Sequence, residues 1–373
     1  MPSITCEHAN ADVIKWARNE SGVSKDDAAS SIRADKATYE KIENGEVAPS
    51  LSQLRSLARK FKRPVAIFYL SEAPQPAKEP TDYRTLVNSK GSKLKLSIRK
   101  ARRVQNYLEK LSSDQNKEFP KLNSTESPEL SAKKLREHLG LTDELHLQGS
   151  DPKIFFESLQ QKLEADGVSI LMHSFPKEEA RAYSFAETPR VIVISTNDDV
   201  YGARNFSLIH ELTHLGLRRS GLCIVAESHS GNSTEKYCDK VAVNFLMPTK
   251  LVRRLSEQYK PEELLDDFNM AHVANKLKSS KLALLIRYDE LNIISHSDFL
   301  HKKSEWDRRK HPTGGGGGGQ SVITNTIKEN GSPLTNTVLE RYNKGGLDGS
   351  LASKILNVNQ SYLEAVGKKV ASR

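Results

Sequence analysis

The sequence predicts an α+β protein that is mostly α. Three observations carry this. Residues 10–72 break into short helical segments separated by capping residues and tight turns. A group of short apolar runs at 167–194 gives a small sheet, followed at once by a long apolar helical pattern at 201–217. The chain then returns to helical periodicity through to a small terminal helical module at 320–373. The expected division is 1–72, a helix-turn-helix unit; 73–150, a proline-rich connector and helical linker; 151–300, a domain that carries the small sheet and the long apolar helix and ends in helices; 301–319, a basic and glycine-rich linker; and 320–373, the helical module.

The first unit is read as five helices. Ala11–Glu20 is the first. Ser24 caps the second, with Asp27 three residues on, close to a capping-box arrangement. Arg33-Ala34 forms a turn, and Asp35 caps a third helix, Lys36–Glu43, which stops at Asn44-Gly45. Leu51–Phe61 and residues 64–69 complete the unit. Two short helices joined by a tight turn form the helix-turn-helix pattern. If the third helix enters a major groove, Lys36, Thr38, Tyr39 and Lys41 face DNA. Asp35 and Glu40 on the same helix, and the absence of Arg, Gln or Asn readers, weaken that expectation. Docking a protein, or packing on the rest of the chain, is the equal alternative.

Residues 73–90 are proline-rich and extended. Residues 90–111 form a basic helix carrying Lys93, Lys95, Arg99, Lys100, Arg102 and Arg103; such a run is usually a solvated face, and contact with nucleic acid is the minority reading. Gly167–Met172 and Arg190–Ile194 are strands, and the alternation in Ala182–Phe185 suits a third. An edge of such a sheet can hold an extended peptide by β-augmentation. Residues 271–294 look like a second helix-turn-helix-like pair. Lys302, Lys303, Arg308, Arg309, Lys310 and His311 form a basic tail, and Gly314–Gly319 is a flexible linker. Helices are expected at 334–341, 347–356 and 359–370.

The chemistry lies in His210-Glu211-Leu-Thr-His214, an H-E-x-x-H inside an apolar helix. Two histidines four apart lie one above the other on a helix. Both can reach one metal, and the glutamate can reach a water beside it. The alternative is an ordinary helix, but burying two His and a Glu without partners is costly, and Leu208, Ile209, Leu212, Leu215 and Leu217 require burial. A catalytic zinc usually takes a third protein ligand. The helical pattern from Thr234 to Pro248 offers Glu235 and Asp239 one turn apart. Glu235 is the favoured third ligand, with Glu227, His229 and Cys238 as rivals. Asp239 is placed to accept a hydrogen bond from the free ring nitrogen of a ligating His. The reaction expected is metal-assisted peptide hydrolysis, with Glu211 taking the proton from water and giving it to the leaving amine. Tyr183, Tyr237 and His229 are possible oxyanion stabilisers.

Composition narrows the setting. The chain has 373 residues, 37% hydrophobic and 28% charged, without an apolar run long enough to span a bilayer. Its start is not a signal peptide. Three widely spaced cysteines, Cys6, Cys223 and Cys238, make no disulfide framework, so a reducing cytoplasm, in a bacterium or its mobile elements, is expected. A net charge of +9 permits nucleic-acid binding, to duplex DNA through the helix-turn-helix or to single-stranded DNA as an activator through the basic segments.

Two resemblances follow. Asp27-Ala-Ala, Tyr39-Glu-Lys-Ile-Glu43-Asn-Gly45, Pro49-Ser-Leu51 and Leu57-Ala58 make the first unit resemble the XRE (phage-repressor-like) helix-turn-helix family. That unit, then Pro-Thr-Asp-Tyr-Arg at 80–84, the strands, Phe206-Ser-Leu-Ile-His-Glu-Leu-Thr-His214 and Glu235-Lys-Tyr-Cys-Asp-Lys-Val-Ala-Val-Asn-Phe-Leu-Met-Pro248 resemble the ImmA/IrrE regulatory metallopeptidases. The resemblance implies a zincin-like domain and one zinc per chain. It implies His210, His214 and Glu235 as ligands, and Glu211 as catalytic base. It also implies cleavage of a partner transcriptional repressor or antitoxin, in a prophage, stress-response, toxin–antitoxin or phage-defence setting. Asp239 departs from the pattern, where such proteins often carry Asn.

Overall fold

The computed structural model describes residues 5, 6, 8–74, 91–112, 118–197, 200–223, 233–308 and 321–371. Residues 80–84, Glu227, His229, the basic residues 309–311 and the glycine run lie outside the described residues. The chain divides into two compact units, Met1–Lys100 and Ala101–Arg373.

The first unit contains α1 (Ala11–Glu20), α2 (Lys25–Ser31), α3 (Lys36–Glu43) and α4 (Leu51–Phe61). Each start is capped by a short polar side chain, which satisfies N–H groups a helix leaves open. Asn10 accepts from the N–H groups of Asp12 and Val13, Ser24 from Asp27, Asp35 from Thr38, and Ser50 with Gln53 forms a capping box. The expected fifth helix is a tighter 3-10 turn, Val65–Tyr69, directly after Pro64.

The core of this unit corrects one expectation. Tyr39 was expected to face DNA; its side chain is fully buried. It lies on the same inward face as Ile42 and Glu43, three and four residues on. Its hydroxyl donates to Glu43 at 2.8 Å, and Arg18 grips the same carboxylate with two bonds of 2.7 and 3.2 Å. Lys36 and Lys41 are exposed and Thr38 is half-buried. Lys36 pairs with Asp26 at 3.1 Å and Lys25 with Glu40 at 2.8 Å, so the outer face of the helix pair carries mixed charge.

Helix α5 (Ser92–Leu111) is the basic stretch, and it is not a solvated face. Leu94, Ile98, Ala101 and Val104 are buried. Lys93 is exposed, but three of the six cations donate inward: Lys95 to the Asn19 carbonyl, Arg99 to those of Phe61 and Lys62, and Arg103 to the Asn330 side chain.

The larger unit runs α6 (Pro128–His138), α7 (Asp143–Leu147), α8 (Pro152–Ala165), β1 (Val168–His173), β2 (Ala182–Phe185), β3 (Arg190–Ser195), α9 (Tyr201–Gly216), β4 (Gly221–Cys223) and α10 (Ser233–Leu246). Then come α11 (Thr249–Ser256), α12 (Asp267–Lys276), α13 (Lys281–Glu290), α14 (His296–Arg308), α15 (Val322–Asn343), α16 (Gly349–Leu356) and α17 (Leu363–Ala371). The strand order is β1-β3-β2-β4, with β1 and β3 parallel and the other pairs antiparallel.

Every residue of β1, β2 and β3 is buried, so both sheet faces are covered. One face carries Val168, Ile170, Met172, Ala182, Ile192 and Ile194 into the core shared with α8, α9 and α10. The other face meets α15 and the second half of α5. A side chain at Gly331 of α15 would lie 2.9 Å from Leu171, and the Arg102 guanidinium sits 3.6 Å from the Phe185 ring centre. Gly331 has φ +74°, which breaks the helix there and lets its backbone rest on β1.

Two expectations about domains change accordingly. Helices α15 to α17 are not a free-standing module: they belong to the larger unit, and α15 packs on β1. Nor is all of 73–150 a linker. Phe119, Leu122, Ala132, Leu135 and Leu139 belong to the main core, and α6 packs against α10. No described helix is long and apolar enough to cross a membrane.

Candidate metal centre

Helix α9 is anchored from both ends of its first turns. Asn205 donates to the carbonyls of Pro152 and Lys278, and Gly202 lies so close to the Ser279 backbone that a Cβ there would come within 2.6 Å. The pair α12–α13, expected as a helix-turn-helix-like motif, is this support. Its turn residue Lys278 is itself buried, with Nζ donating to the carbonyls of Gln148 and Gly149. Leu208, Ile209, Leu212 and Leu215 then pin the helix in the core.

His210 and His214 follow on one face, 1% and 2% exposed. Their Nε2 atoms are 3.2 Å apart. Glu235 reaches them from α10: one carboxylate oxygen lies 3.1 Å from His210 Nε2 and the other 3.2 Å from His214 Nε2. One turn further along α10, Asp239 accepts from His210 Nδ1 at 2.9 Å. Glu211 is fully buried; its Oε2 accepts from the Ser184 hydroxyl of β2 at 2.6 Å. Glu211 Oε1 and His214 Nδ1 are buried without a hydrogen-bond partner among the described residues.

These distances fit zinc. At zinc–donor lengths of roughly 2.0–2.1 Å, tetrahedral nitrogens and oxygens stand about 3.3 Å apart. His210 Nε2 and His214 Nε2 stand 3.2 Å apart, with Glu235 Oε2 3.1 Å from the first and Glu235 Oε1 3.2 Å from the second. The donors also suit that ion by type, and the orphaned Glu211 Oε1 is a buried polar atom that an added group would satisfy.

Burial and the hydrogen bonds among these groups set the electrostatics of the site. Burial works against ionisation of Glu235, yet hydrogen bonds from His210 and His214 outweigh it and hold the carboxyl down at about 2. Burial also pulls His214 down, while hydrogen bonds with Cys238 and Glu235 lift it to about 10. For Glu211 burial wins: its carboxyl is raised above the ordinary glutamate range.

The structure thus brings together His210, Glu211, His214, Glu235 and Asp239. It also brings in Cys238, one of the rivals to Glu235: its Sγ and a ring nitrogen of each histidine lie within 4.8 Å of one another. Glu235, the favoured candidate from the sequence, sets one oxygen near each ring, at 3.1 and 3.2 Å. Tyr237 is turned elsewhere, its hydroxyl bound to Ser131 and the Asn123 carbonyl. Tyr183 packs between Phe175 and Phe185, on the sheet face opposite its neighbour Ser184.

Two site residues escape sequence reasoning. Ser184 left a signal, a hydroxyl inside an otherwise apolar strand. Gly221 left none. It stands at the start of β4, where a Cβ would meet the His214 ring at 2.6 Å.

Fold and site together define a helix-turn-helix protein with an H-E-x-x-H peptidase-like domain. Comparison with known families agrees, segment by segment. Residues 163–289 match the model of the IrrE N-terminal-like domain, and residues 14–68 that of a helix-turn-helix. This order is the architecture of ImmA/IrrE-type proteins with an N-terminal XRE-type helix-turn-helix. No curated protein and no solved structure matches the chain.

Proposed function

We propose that this chain is a zinc-dependent endopeptidase that controls transcription by cleaving a partner repressor, itself a helix-turn-helix protein. The supporting observation is the triangle of His210, His214 and Glu235 with a buried, half-partnered Glu211 beside it. His210, His214 and Glu235 would hold the ion. When bound, zinc polarises a scissile carbonyl and lowers the pKa of an attacking water.

The chain's own groups do the rest. Asp239 accepts a hydrogen bond from His210 Nδ1–H, which keeps the proton on Nδ1 and leaves the Nε2 lone pair free to face the ion. Ser184 occupies Glu211 Oε2, so Oε1 is the atom that takes a proton from water and passes it to the leaving amine. A carboxyl raised by burial suits both halves of that transfer.

The helix-turn-helix unit then recruits a target. Lys36, Thr38 and Lys41 remain the outward groups available to DNA, but paired Asp26 and Glu40 beside them suit a protein surface equally. A cytoplasmic setting in a prophage, mobile element, stress response or defence system follows from the family resemblance. A second reading, a non-proteolytic DNA- or protein-binding regulator with a structural zinc, is favoured by one observation: Cys238 stands near enough to be a fourth protein donor.

The test compares wild type with Glu211→Gln by quantitative N-terminal proteomics in the native host after DNA damage, with bound zinc measured in both. A new N-terminus that appears only with wild type supports the peptidase and identifies its substrate. Zinc bound in both and no new N-terminus moves the conclusion to the non-proteolytic regulator.

A further inference from the structure

The metal-site geometry leaves one buried donor without a role. Cys238 lies on α10 between Glu235 and Asp239, at the i+3 position from Glu235, so all three share the helix face turned to the histidines. It is fully buried. Buried cysteines usually behave as small apolar side chains among apolar neighbours. The side chains beside this one are polar: its Sγ and a ring nitrogen of both His210 and His214 fall within 4.8 Å of one another. One buried polar atom of the same site, Glu211 Oε1, has no hydrogen-bond partner among the described residues, as expected where a further group completes the cluster.

Charge balance points the same way. Among the groups that would bind the ion directly, two neutral imidazoles and one carboxylate carry a single negative charge, with the carboxylates of Glu211 and Asp239 just beyond them. A thiolate supplies the second negative charge, and thiolate is a strong zinc donor.

We propose that Cys238 is a fourth protein donor to the metal, so that the resting centre is closed by His210, His214, Glu235 and Cys238. The proposal rests on the reading of this site as a zinc centre. It also joins the two functional readings above. A closed centre has no place for substrate, whereas a catalytic one keeps a position open. In the peptidase, Cys238 would hold the position that substrate needs and so keep the enzyme latent until that position is vacated.

X-ray absorption at the zinc edge tests this on the full chain loaded with zinc alone. The wild type is expected to show one sulfur neighbour at about 2.3 Å beside nitrogen and oxygen neighbours at roughly 2.0–2.1 Å. Cys238→Ala should lose the sulfur and keep the rest. Cys238→Ser, which preserves volume, serves if the alanine variant does not fold, and should likewise lose it. Cobalt substitution gives a second readout, a thiolate-to-cobalt absorption band present in wild type and absent in the variants. A wild-type shell of nitrogen and oxygen only overturns the role of Cys238 while leaving the His210–His214–Glu235 site standing. A sulfur that survives Cys238→Ala overturns it too, since another cysteine then supplies it. Failure of the wild type to bind zinc at one equivalent overturns the metal centre itself, and this proposal with it.

Discussion

Replacing Gly221 by alanine is the most direct probe of how tightly the centre is built. The added Cβ would stand 2.6 Å from His214 Cδ2, 2.7 Å from Cγ and 2.9 Å from Nε2. Ordinary carbon contacts begin at about 3.5 Å, so ring and strand must separate by about 0.9 Å. The ring cannot simply swing away. It is 2% exposed, and its Nε2 is held between Glu235 and His210. The strand is also tied, since Gly221 pairs with Ser184 across β2 and β4, and Ser184 carries Glu211. A metal site tolerates displacements of only about 0.2 Å. We therefore expect Gly221→Ala to weaken zinc binding by about 10- to 100-fold, the loss typical when a ligand's support is disturbed. That corresponds to about 1.4 to 2.8 kcal/mol. Competition against a chelator of known zinc affinity measures it, with circular dichroism confirming that the variant is folded. Gly202→Ala is the control. Its Cβ would meet the Ser279 backbone at 2.6 Å, so it should lower the melting temperature while the folded fraction keeps its zinc affinity. A folded Gly221→Ala protein that binds zinc within twofold of wild type would refute the close approach of β4 to His214.

Three further outcomes follow from the same structure. Asp239→Ala should weaken zinc binding by about 10- to 100-fold by freeing the His210 ring, and because Asp239 is 35% exposed the melting temperature should change little; isothermal titration and a thermal melt check both. His146 is almost wholly buried; burial first, and then the charges of Arg136 and Lys278, depress its pKa from 6.5 to about 3. The folded chain thus refuses a proton that the unfolded chain accepts below about pH 6.5. The stability in question is fully present above that pH and is lost as pH falls toward 3, by up to about 5 kcal/mol. Urea unfolding at pH 7 and pH 5 should differ by about 2 kcal/mol in wild type and by clearly less in His146→Gln; an equal difference in both would assign the acid sensitivity to other groups. Gly331→Ala sets a side chain at φ +74° against Leu171, and a loss of about 1–3 kcal/mol is expected in denaturant unfolding.

The site was more legible than the fold around it, for a reason of scale. His210 and His214, and likewise Glu235 and Asp239, are i,i+4 pairs, and one helical turn of spacing places both members on one face whatever the rest of the chain does. That local geometry grouped four residues of the centre within their own helices, and Glu211 follows as the neighbour of His210. Tyr39 shows where local reading breaks down. Its position on α3 is compatible with either face until one knows that Glu43 is buried, and Glu43 is buried because Arg18, 25 residues earlier, neutralises it. Ser184 and Gly221 reach the site from neighbouring strands, and nothing within a few residues of either announces the imidazole or the carboxylate they touch. The basic run on α5 failed in the same way, since its cations end on carbonyls and side chains distant in sequence.

The C-terminal helices pose a different problem, because there the signal was present. Strands that face solvent on one side alternate polar and apolar residues, whereas Leu171, Tyr183, Phe185, Val191 and Val193 add an apolar second face to an already apolar first. A sheet of that kind requires a second layer of helices, and residues between α8 and α10 offer none to spare: α9 is committed to the first face by His210, Glu211 and their contact with Ser184. The cover had to come from outside the central segment. It comes from α5 on one side of the strands in sequence and from α15 on the other, with Asn330 of α15 accepting from Arg103 of α5 at 3.1 Å. The Gly331–Pro333 break hid the first half of α15, since only 334–341 reads as helix in the sequence, and so the demand for a cover on β1 and the helix that meets it were not connected. The sheet is therefore covered on its second face by residues more than 100 positions downstream, which is why a substitution at Gly331 should loosen the sheet that carries Ser184 even though it touches none of the candidate site residues.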